Sequence, residues 1–270
     1  MKRIGRALAL TLIAGTVGGA AVLGAEALLA RARRYAQPQL GLTLRATVGP
    51  DHATALRLVL LGDSTALGVG VDMVSLTIGG QLSQLLADGI SAPGTEPGTG
   101  PLRQVALSSV GVSGSRTTDL ATQVARALLG DHPDVAVILI GANDVTGLRR
   151  PAESAAYLAA AVRRLRDANI QVVVGTCPDL GAARAVAPPL RQIMGFFGRR
   201  MARAQASAAA NAGAAVVDLG TVTGPVFRAD PGTLCHDGYH PSADGYRVWA
   251  HALLPAVAKA AAVSHALRSS

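Results

Sequence analysis

Three short segments of the chain carry side chains that are suited to nucleophilic chemistry: Gly62-Asp63-Ser64, Gly141-Ala142-Asn143-Asp144 and Asp237-Gly238-Tyr239-His240. A serine hydroxyl becomes a nucleophile only when an adjacent base accepts its proton. His240 is the candidate base, and Asp237, three residues earlier, can hold the imidazole from the same turn. The amide of the asparagine can donate a hydrogen bond to an oxyanion. The spacing therefore favours covalent chemistry at Ser64.

Each of these residues also has a plainer interpretation. Ser64 by itself is typical of a helix cap, and Asp63 is expected to order the turn before it. His236 is adjacent to Asp237 but has the wrong offset for a triad base. Asp244 is expected to cap the terminal helix. Only the combination of segments favours the catalytic interpretation.

Other kinds of site lack essential residues. The loop from Gly62 to Gly70 lacks the lysine of a phosphate-binding loop, and Gly68-Val69-Gly70 lacks the third glycine of a dinucleotide fingerprint. Ala66 stands where the nucleophile elbow of α/β-hydrolases has a glycine. No His, Asp or Glu cluster has metal-ligand spacing. We therefore expect no cofactor and no metal.

The elements that must position these segments alternate along the chain. Short apolar runs predict five strands, and helical spacing of apolar residues predicts the segments between and after them. The predicted strands are Arg57–Leu61, Gln104–Val110, Val135–Ile140, Val172–Val174 and Ala214–Leu219, and the predicted helices are Leu76–Ala87, Thr117–Leu129, Pro151–Asp167, Leu190–Asn211 and a terminal helix from Gly245. A loop is expected after this fifth strand, from 220 to about 244.

This alternation predicts an α/β fold, a three-layer, doubly wound domain around a mostly parallel five-stranded sheet. The flavodoxin-like strand order 2-1-3-4-5 is the simplest choice. Ligands bind such sheets at the carboxyl ends of the strands, where the first and third strands diverge. Gly62-Asp63-Ser64 and Gly141-Ala142-Asn143-Asp144 follow those two strands.

Together with Gly114 in Val112-Ser113-Gly114, the three segments resemble the four motif blocks of the SGNH (GDSL-like) hydrolases, which occur in the order Ser, Gly, Asn, His. The resemblance covers roughly residues 56–262. It implies a serine esterase or lipase with Ser64 as nucleophile, His240 as base and Asp237 as acid. It also implies an oxyanion hole made by the backbone N–H groups of Ser64 and Gly114 and the side chain of Asn143, although Gly111 competes with Gly114.

The implied reaction is hydrolysis of a small-molecule or lipid carboxylic ester through a covalent acyl-enzyme. Two alternatives remain open from the sequence. An acyltransferase would use the same site with an acceptor other than water. A catalytically silent envelope-binding module would keep only the fold.

The N-terminus predicts export. Lys2, Arg3 and Arg6 precede an uncharged run from Ala7 to Ala25, and Ala25-Glu26-Ala27 offers a small-x-small cleavage site. The run is also close to the length that spans a bilayer. Residues 1–35 are therefore expected to be a signal peptide or a membrane anchor, with the domain secreted or held in the cell envelope. Residues 36–55 are expected to form a polar connector, 56–262 the hydrolase domain and 263–270 a tail.

The formal net charge is +8 and the sequence pI about 10.5, yet this charge does not favour nucleic acid as a partner. Nearly all of it comes from dispersed arginines, and aromatic residues make up only 3% of the chain.

Two cysteines are too few for a structural zinc site. Cys177 follows the fourth strand and Cys235 lies in the loop after the fifth, so a disulfide is expected in an oxidising compartment; the alternative is two free, packed thiols.

Overall fold

A computed structural model describes residue 19 and residues 21–30, 32–40 and 44–269. Most of the predicted export segment, residues 1–18, 20 and 31, lies outside these residues. Residues 21–30 are helical (α1). None of the helices among the described residues combines the length and the apolarity needed to span a bilayer.

A six-stranded, mostly parallel sheet forms the centre of the molecule. Its strands are β1 (Leu44–Val48), β2 (Thr54–Gly62), β3 (Arg103–Ser109), β4 (Val135–Leu139), β5 (Gln171–Gly175) and β6 (Ala215–Val217). Their order is β1-β3-β2-β4-β5-β6, and every neighbouring pair is parallel except β1 and β3. The five predicted strands are therefore present in the predicted order, and the prediction of a doubly wound α/β fold is confirmed.

The sixth strand corrects the sequence-based prediction. Residues 36–55 were expected to be a connector, but β1 lies within them and pairs antiparallel with β3, with Leu44 opposite Ser109. Only Leu44 of β1 is fully buried, and Arg45 alternates with it on the other face. A short edge strand with one buried residue carries a weak apolar signal, which is why the pattern indicated a connector.

Helices cover both faces of the sheet. They are α2 (Ile78–Ala87), α3 (Leu120–Leu129), α4 (Ala142–Thr146), α5 (Pro151–Asp167), α6 (Leu190–Asn211), α7 (Leu219–Ala229) and α8 (Ala243–Ser269). Along β2, Leu58 and Leu60 pack with α2 and α8, whereas Val59 and Leu61 pack with α3 and α5. This alternation buries β2 on both faces, as a central parallel strand requires.

Two segments expected to be irregular are helical. The loop expected after β6 contains α7, whose first turn is held by the Asp218 side chain, which accepts a hydrogen bond from the Thr221 N–H at 3.0 Å. Pro225 lies inside α7, and a proline at that position does not favour a helix in the sequence pattern. The tail expected at 263–270 continues α8 to Ser269, because Arg268 binds Asp134 at 2.9 Å and thereby fastens the helix end to the start of β4.

Candidate active site

Ser64 lies at the carboxyl end of β2, beside the end of β4. Gly62 has a φ of +143°, and a Cβ there would collide with the carbonyl oxygen of Leu139 on the neighbouring strand. The N–H of Asp63 donates to the same oxygen at 3.2 Å. Glycine at position 62 therefore lets the chain turn sharply against β4, and Ser64 follows in a buried position.

Two side chains hold this turn. Asp63 accepts hydrogen bonds from the N–H and hydroxyl of Thr65 at 3.0 and 2.9 Å, which is the ordering role that the sequence predicted. Burial raises the pKa of Asp63 above its ordinary value. Gln123 of α3 accepts from the Gly62 N–H at 2.7 Å and donates to the Gly62 carbonyl at 2.8 Å. Sequence reasoning missed Gln123, whose only signal is a glutamine on the apolar face of a helix.

His240 is held next to Ser64 by a tight loop before α8. The Cys235 N–H donates to the His240 carbonyl at 2.8 Å, and Gly238 turns the chain with a φ of +69°. His240 Nε2 lies 3.0 Å from Ser64 Oγ, and His240 Nδ1 lies 2.6 Å from Asp237 Oδ2. Ser64, His240 and Asp237 are thus joined in one hydrogen-bonded row. Ser64 and His240 are 176 residues apart in the chain, so the fold brings them together.

Asp237 is surrounded by donors. Its Oδ1 accepts from the N–H groups of Tyr239 and His240 at 2.7 and 2.9 Å and from the thiol of Cys235 at 3.2 Å. Its Oδ2 accepts from the Ala36 N–H at 3.0 Å in addition to the imidazole. Burial alone would raise the pKa of Asp237, but these hydrogen bonds outweigh it and hold that pKa far below its ordinary value. Asp237 is therefore a carboxylate at any physiological pH.

The competing residues lie elsewhere. His236 is exposed on the outer side of the loop. Asp244 lies in the first turn of α8 and pairs with Arg247 at 2.7 Å, while Ser242 accepts from the Gly245 N–H at 3.2 Å and provides the cap that was expected of Asp244. Neither His236 nor Asp244 takes part in the row.

Asn143 lies on α4 directly after β4 and lines the same cleft as Ser64 and His240. Its Nδ2 donates to the carbonyl of Ser115 at 3.0 Å. Because an amide nitrogen carries two hydrogens, a second donor is available after this bond. The contact fixes the side-chain amide and connects the third motif block to the second.

The two glycines of the second block occupy different environments. Gly114 is exposed with a φ of +81°, and a Cβ there would meet no atom within 4 Å. It does not line the cleft that Ser64 and Asn143 share, although Asn143 holds the adjacent Ser115. Gly111 is buried, and a Cβ there would press on Ala66 at 2.8 Å. Gly111 is therefore required for packing against the serine turn.

Two further buried side chains support the loops around the cleft. Asp144 accepts from the hydroxyls of Thr117 and Ser154 at 2.7 and 2.8 Å, which joins α4 to the segments before α3 and in α5. Gln205 of α6 accepts from the Cys177 N–H at 2.7 Å and donates to the Ile140 carbonyl at 2.9 Å. The ends of β4 and β5 are thereby held together. Like Gln123, Gln205 has no local sequence signal beyond a polar residue on a buried helix face.

The cleft itself is narrow and mostly apolar. Its volume is about 50 Å³, and the walls beyond the serine are formed by Leu180, Ala182, Ala183, Phe227, Leu234 and Trp249. Among the described residues, no group of three His, Cys, Asp or Glu side chains is arranged to hold a metal ion.

The disulfide predicted between Cys177 and Cys235 is not formed in the structure, where both are free thiols. Cys177 packs with Met201 of α6 in a buried apolar cluster, whereas the Cys235 thiol is directed at Asp237. Burial raises the pKa of Cys177 well above its ordinary value and, with the neighbouring Asp237, that of Cys235 to about 11. Strand adjacency brought the two cysteines to one edge but did not set the directions of their side chains.

Comparison with known proteins agrees with this geometry. The sequence model of the GDSL-like lipase/acylhydrolase family matches residues 60–248. A GDSL-like esterase of Mycobacterium tuberculosis is 41% identical over 204 residues, which cover 75% of this chain and 62% of that protein. The chain thus spans less than two thirds of that relative.

Solved structures share the fold. The crystal structure of TesA superposes with a TM-score of 0.57 at 22% identity and covers 76% of this chain and 99% of its own. A lipase/acylhydrolase from Enterococcus faecalis gives a TM-score of 0.55 at 24% identity, with 76% and 96% covered. With the family match over residues 60–248, the resemblance seen in the four motif blocks is confirmed: the chain belongs to the GDSL-like lipase/acylhydrolase family.

Proposed function

We propose that this protein is a serine esterase that hydrolyses carboxylic esters through a covalent acyl-enzyme, without a cofactor. One observation carries the proposal: His240 bridges Ser64 Oγ at 3.0 Å and the Asp237 carboxylate at 2.6 Å. A base within hydrogen-bond reach of a serine, oriented in turn by a buried carboxylate, is the arrangement that activates a serine hydroxyl. Membership of the family and the 41% identical esterase support the same reaction.

In the proposed mechanism, Ser64 Oγ attacks the carbonyl carbon of the ester while His240 Nε2 takes the serine proton. The imidazolium then gives this proton to the departing alcohol, and the acyl group stays on Ser64. Water attacks the acyl-enzyme with His240 again as base, which releases the carboxylic acid and restores the serine. Asp237 stays ionised throughout and stabilises the imidazolium.

The negative charge on the carbonyl oxygen requires donors as the tetrahedral intermediate forms. We assign this role to the second N–H of the Asn143 amide and to the backbone N–H of Ser64, which both line the cleft. The third donor implied by the family resemblance, the backbone N–H of Gly114, is exposed and lies outside that lining. The contact of Asn143 with Ser115 supports the assignment, because it fixes the amide before substrate binds. Asn143→Ala is expected to lower kcat about 100- to 1000-fold.

The cleft favours short acyl groups. A single water needs roughly 10–15 Å³ of such space, so a cleft of about 50 Å³ admits only a few atoms beyond the serine. Activity on a p-nitrophenyl ester series is expected to be highest for acetyl to butyryl esters and to fall steeply by octanoyl. A maximum at long chains would contradict the short-acyl assignment and leave the esterase proposal standing.

Labelling with a fluorophosphonate probe tests the proposed function itself. The full-length protein is expected to incorporate one probe per chain and to lose ester hydrolysis in proportion. Mass spectrometry should place the adduct on the peptide that contains Ser64. A protein that neither labels nor hydrolyses any member of the ester series is not a serine esterase.

A further inference from the structure

The segment before β1 reaches the proposed triad. We define residues 33–40 as the N-terminal arm. The Ala36 N–H of this arm donates to Asp237 Oδ2 at 3.0 Å, the same oxygen that binds the imidazole of His240. Asp237 and Ala36 are 201 residues apart in the chain, so this contact is made by the tertiary fold.

Aromatic contacts place the arm directly over the pair. The ring of Tyr35 lies edge-on to that of Tyr239, with centroids 5.4 Å apart, and edge-on to the imidazole of His240 at 6.4 Å. The Asp237 side chain is only 1% exposed with the arm in place. The arm therefore covers the outer side of the histidine–aspartate hydrogen bond, opposite Ser64.

A second contact fastens the same stretch of chain. On α1, Glu26 accepts a hydrogen bond from the Leu190 N–H at 2.9 Å, at the first residue of α6. A carboxylate is favourable at a helix N-terminus, where N–H groups have no partner inside the helix. Cleavage after Ala27, at the expected signal site, would remove Glu26 but leave Tyr35 and Ala36 on the mature protein.

From these contacts we infer that two residues of the N-terminal arm, Ala36 and Tyr35, complete the active site as positioning residues that act through Asp237. The inference rests on the proposed function. The backbone N–H of Ala36 stabilises the carboxylate form of Asp237, and the Tyr35 ring keeps water from competing for that carboxylate. The arm thus sets how strongly Asp237 holds the protonated imidazole.

Loss of the Ala36 donor has a predictable sign. With one donor fewer, the pKa of Asp237 rises and its oxygen becomes a better acceptor. The hydrogen bond from the imidazolium to Asp237 is then stronger, and the acidic limb of the kcat/KM profile shifts to higher pH. The other titratable and charged groups around the pair are Asp63 from the turn after β2, Cys235 and Tyr239 from the loop before α8, Tyr246 from α8, and Arg33 and Tyr35 from the arm. None of them is altered by a change at residue 36.

The experiment compares two prolines in the full-length chain. Ala36→Pro removes the donated N–H, whereas Gln37→Pro inserts the same ring one residue later and leaves that N–H in place. The control loses only the exposed bond from Gln37 Nε2 to the Tyr35 carbonyl at 3.2 Å. For Ala36→Pro, the acidic limb of the pH profile of kcat/KM is expected to move up by about half a pH unit. This shift lowers kcat/KM about threefold at acidic pH and changes it little on the alkaline plateau. KM should change less than twofold. Gln37→Pro should match the wild type when both are normalised to active sites titrated with the fluorophosphonate probe.

A second pair guards against misfolding of the first. Tyr35→Ala should shift the limb by a smaller amount in the opposite direction, to lower pH, because water then donates to Asp237 and weakens its hold on the imidazolium. Tyr35→Phe, which keeps the ring, should restore the wild-type profile. The inference is overturned if Ala36→Pro, or Tyr35→Ala where the proline variant does not fold, leaves the limb unmoved. It is also overturned by a uniform loss at every pH together with a lower melting temperature, since that pattern marks a purely structural arm. A wild-type protein without esterase activity would instead overturn the proposed function and the inference with it.

Discussion

The proposed reactivity of Ser64 depends on one neighbour, because the hydroxyl has no other base within hydrogen-bond reach among the described residues. Ser64→Ala removes the attacking oxygen and leaves the surrounding hydrogen bonds of the turn in place. Ester hydrolysis is expected to fall by up to about a millionfold, with probe labelling abolished and the melting temperature nearly unchanged. A variant that keeps more than a few per cent of the activity would show that another residue is the nucleophile.

His240 and His236 make a matched pair, since they are four residues apart in one loop but only His240 contacts Ser64 and Asp237. His240→Ala should be nearly inactive and His236→Ala close to wild type. Only a neutral imidazole can accept the serine proton, so activity is expected to be lower in acid than at neutral pH. Steady-state kinetics from pH 5 to 9 measure both effects; greater loss in the His236 variant would move the role of base to that residue.

At the scale of elements, the turn after β2 depends on a side chain from α3. Gln123 satisfies both the N–H and the carbonyl of the buried Gly62. Gln123→Ala would leave these groups without partners and is expected to lower the free energy of unfolding by about 2–4 kcal/mol and to reduce kcat. Gln84→Ala is the control, because Gln84 is an exposed helical glutamine that binds only the side chain of Asp88. Urea denaturation that fails to separate the two variants would contradict this role.

Elements also explain why two distant loops meet. β2 and β4 are parallel neighbours, with Gly62 opposite Leu139, so the turns that follow them emerge side by side. Ser64 and Asn143 come from these turns. The Tyr246 hydroxyl of α8 donates to the Val69 carbonyl at 2.7 Å and ties the helix that follows the His240 loop to the loop after Ser64.

For the whole molecule, the free cysteines predict that stability does not depend on a disulfide. The thiols face different partners, and burial keeps both protonated, with the pKa of Cys235 at about 11. Denatured protein is expected to show two reactive thiols, and native protein to react slowly, since the thiolate is the reactive form. Reductant should leave the melting temperature unchanged. A lower melting temperature in reductant would instead indicate a bridge between Cys177 and Cys235.

The amino-acid sequence alone determined the strand–helix alternation, the positions of Ser64, Asn143, Asp237 and His240 at the ends of elements, and the family. These features have local signatures: apolar periodicity reports which face of an element is buried, and a reactive residue at the end of a strand stands out from its neighbours. Buried β4 and the helices Pro151–Asp167 and Leu190–Asn211 were predicted for the same reason.

The tertiary structure alone decided how the proposed triad is completed and shielded. The Ala36 N–H that binds Asp237 is chemically identical to any other backbone N–H, so no residue pattern marks it. In the sequence, Gln123 and Gln205 are single polar residues among the apolar residues of a helix face. Their roles depend on backbone groups of Gly62 and Ile140, which are 61 and 65 residues away in the chain. The thiols of Cys177 and Cys235 likewise reach one sheet edge through topology but point apart through side-chain packing. Contacts between distant segments depend on where whole elements pack, and local sequence carries no record of that.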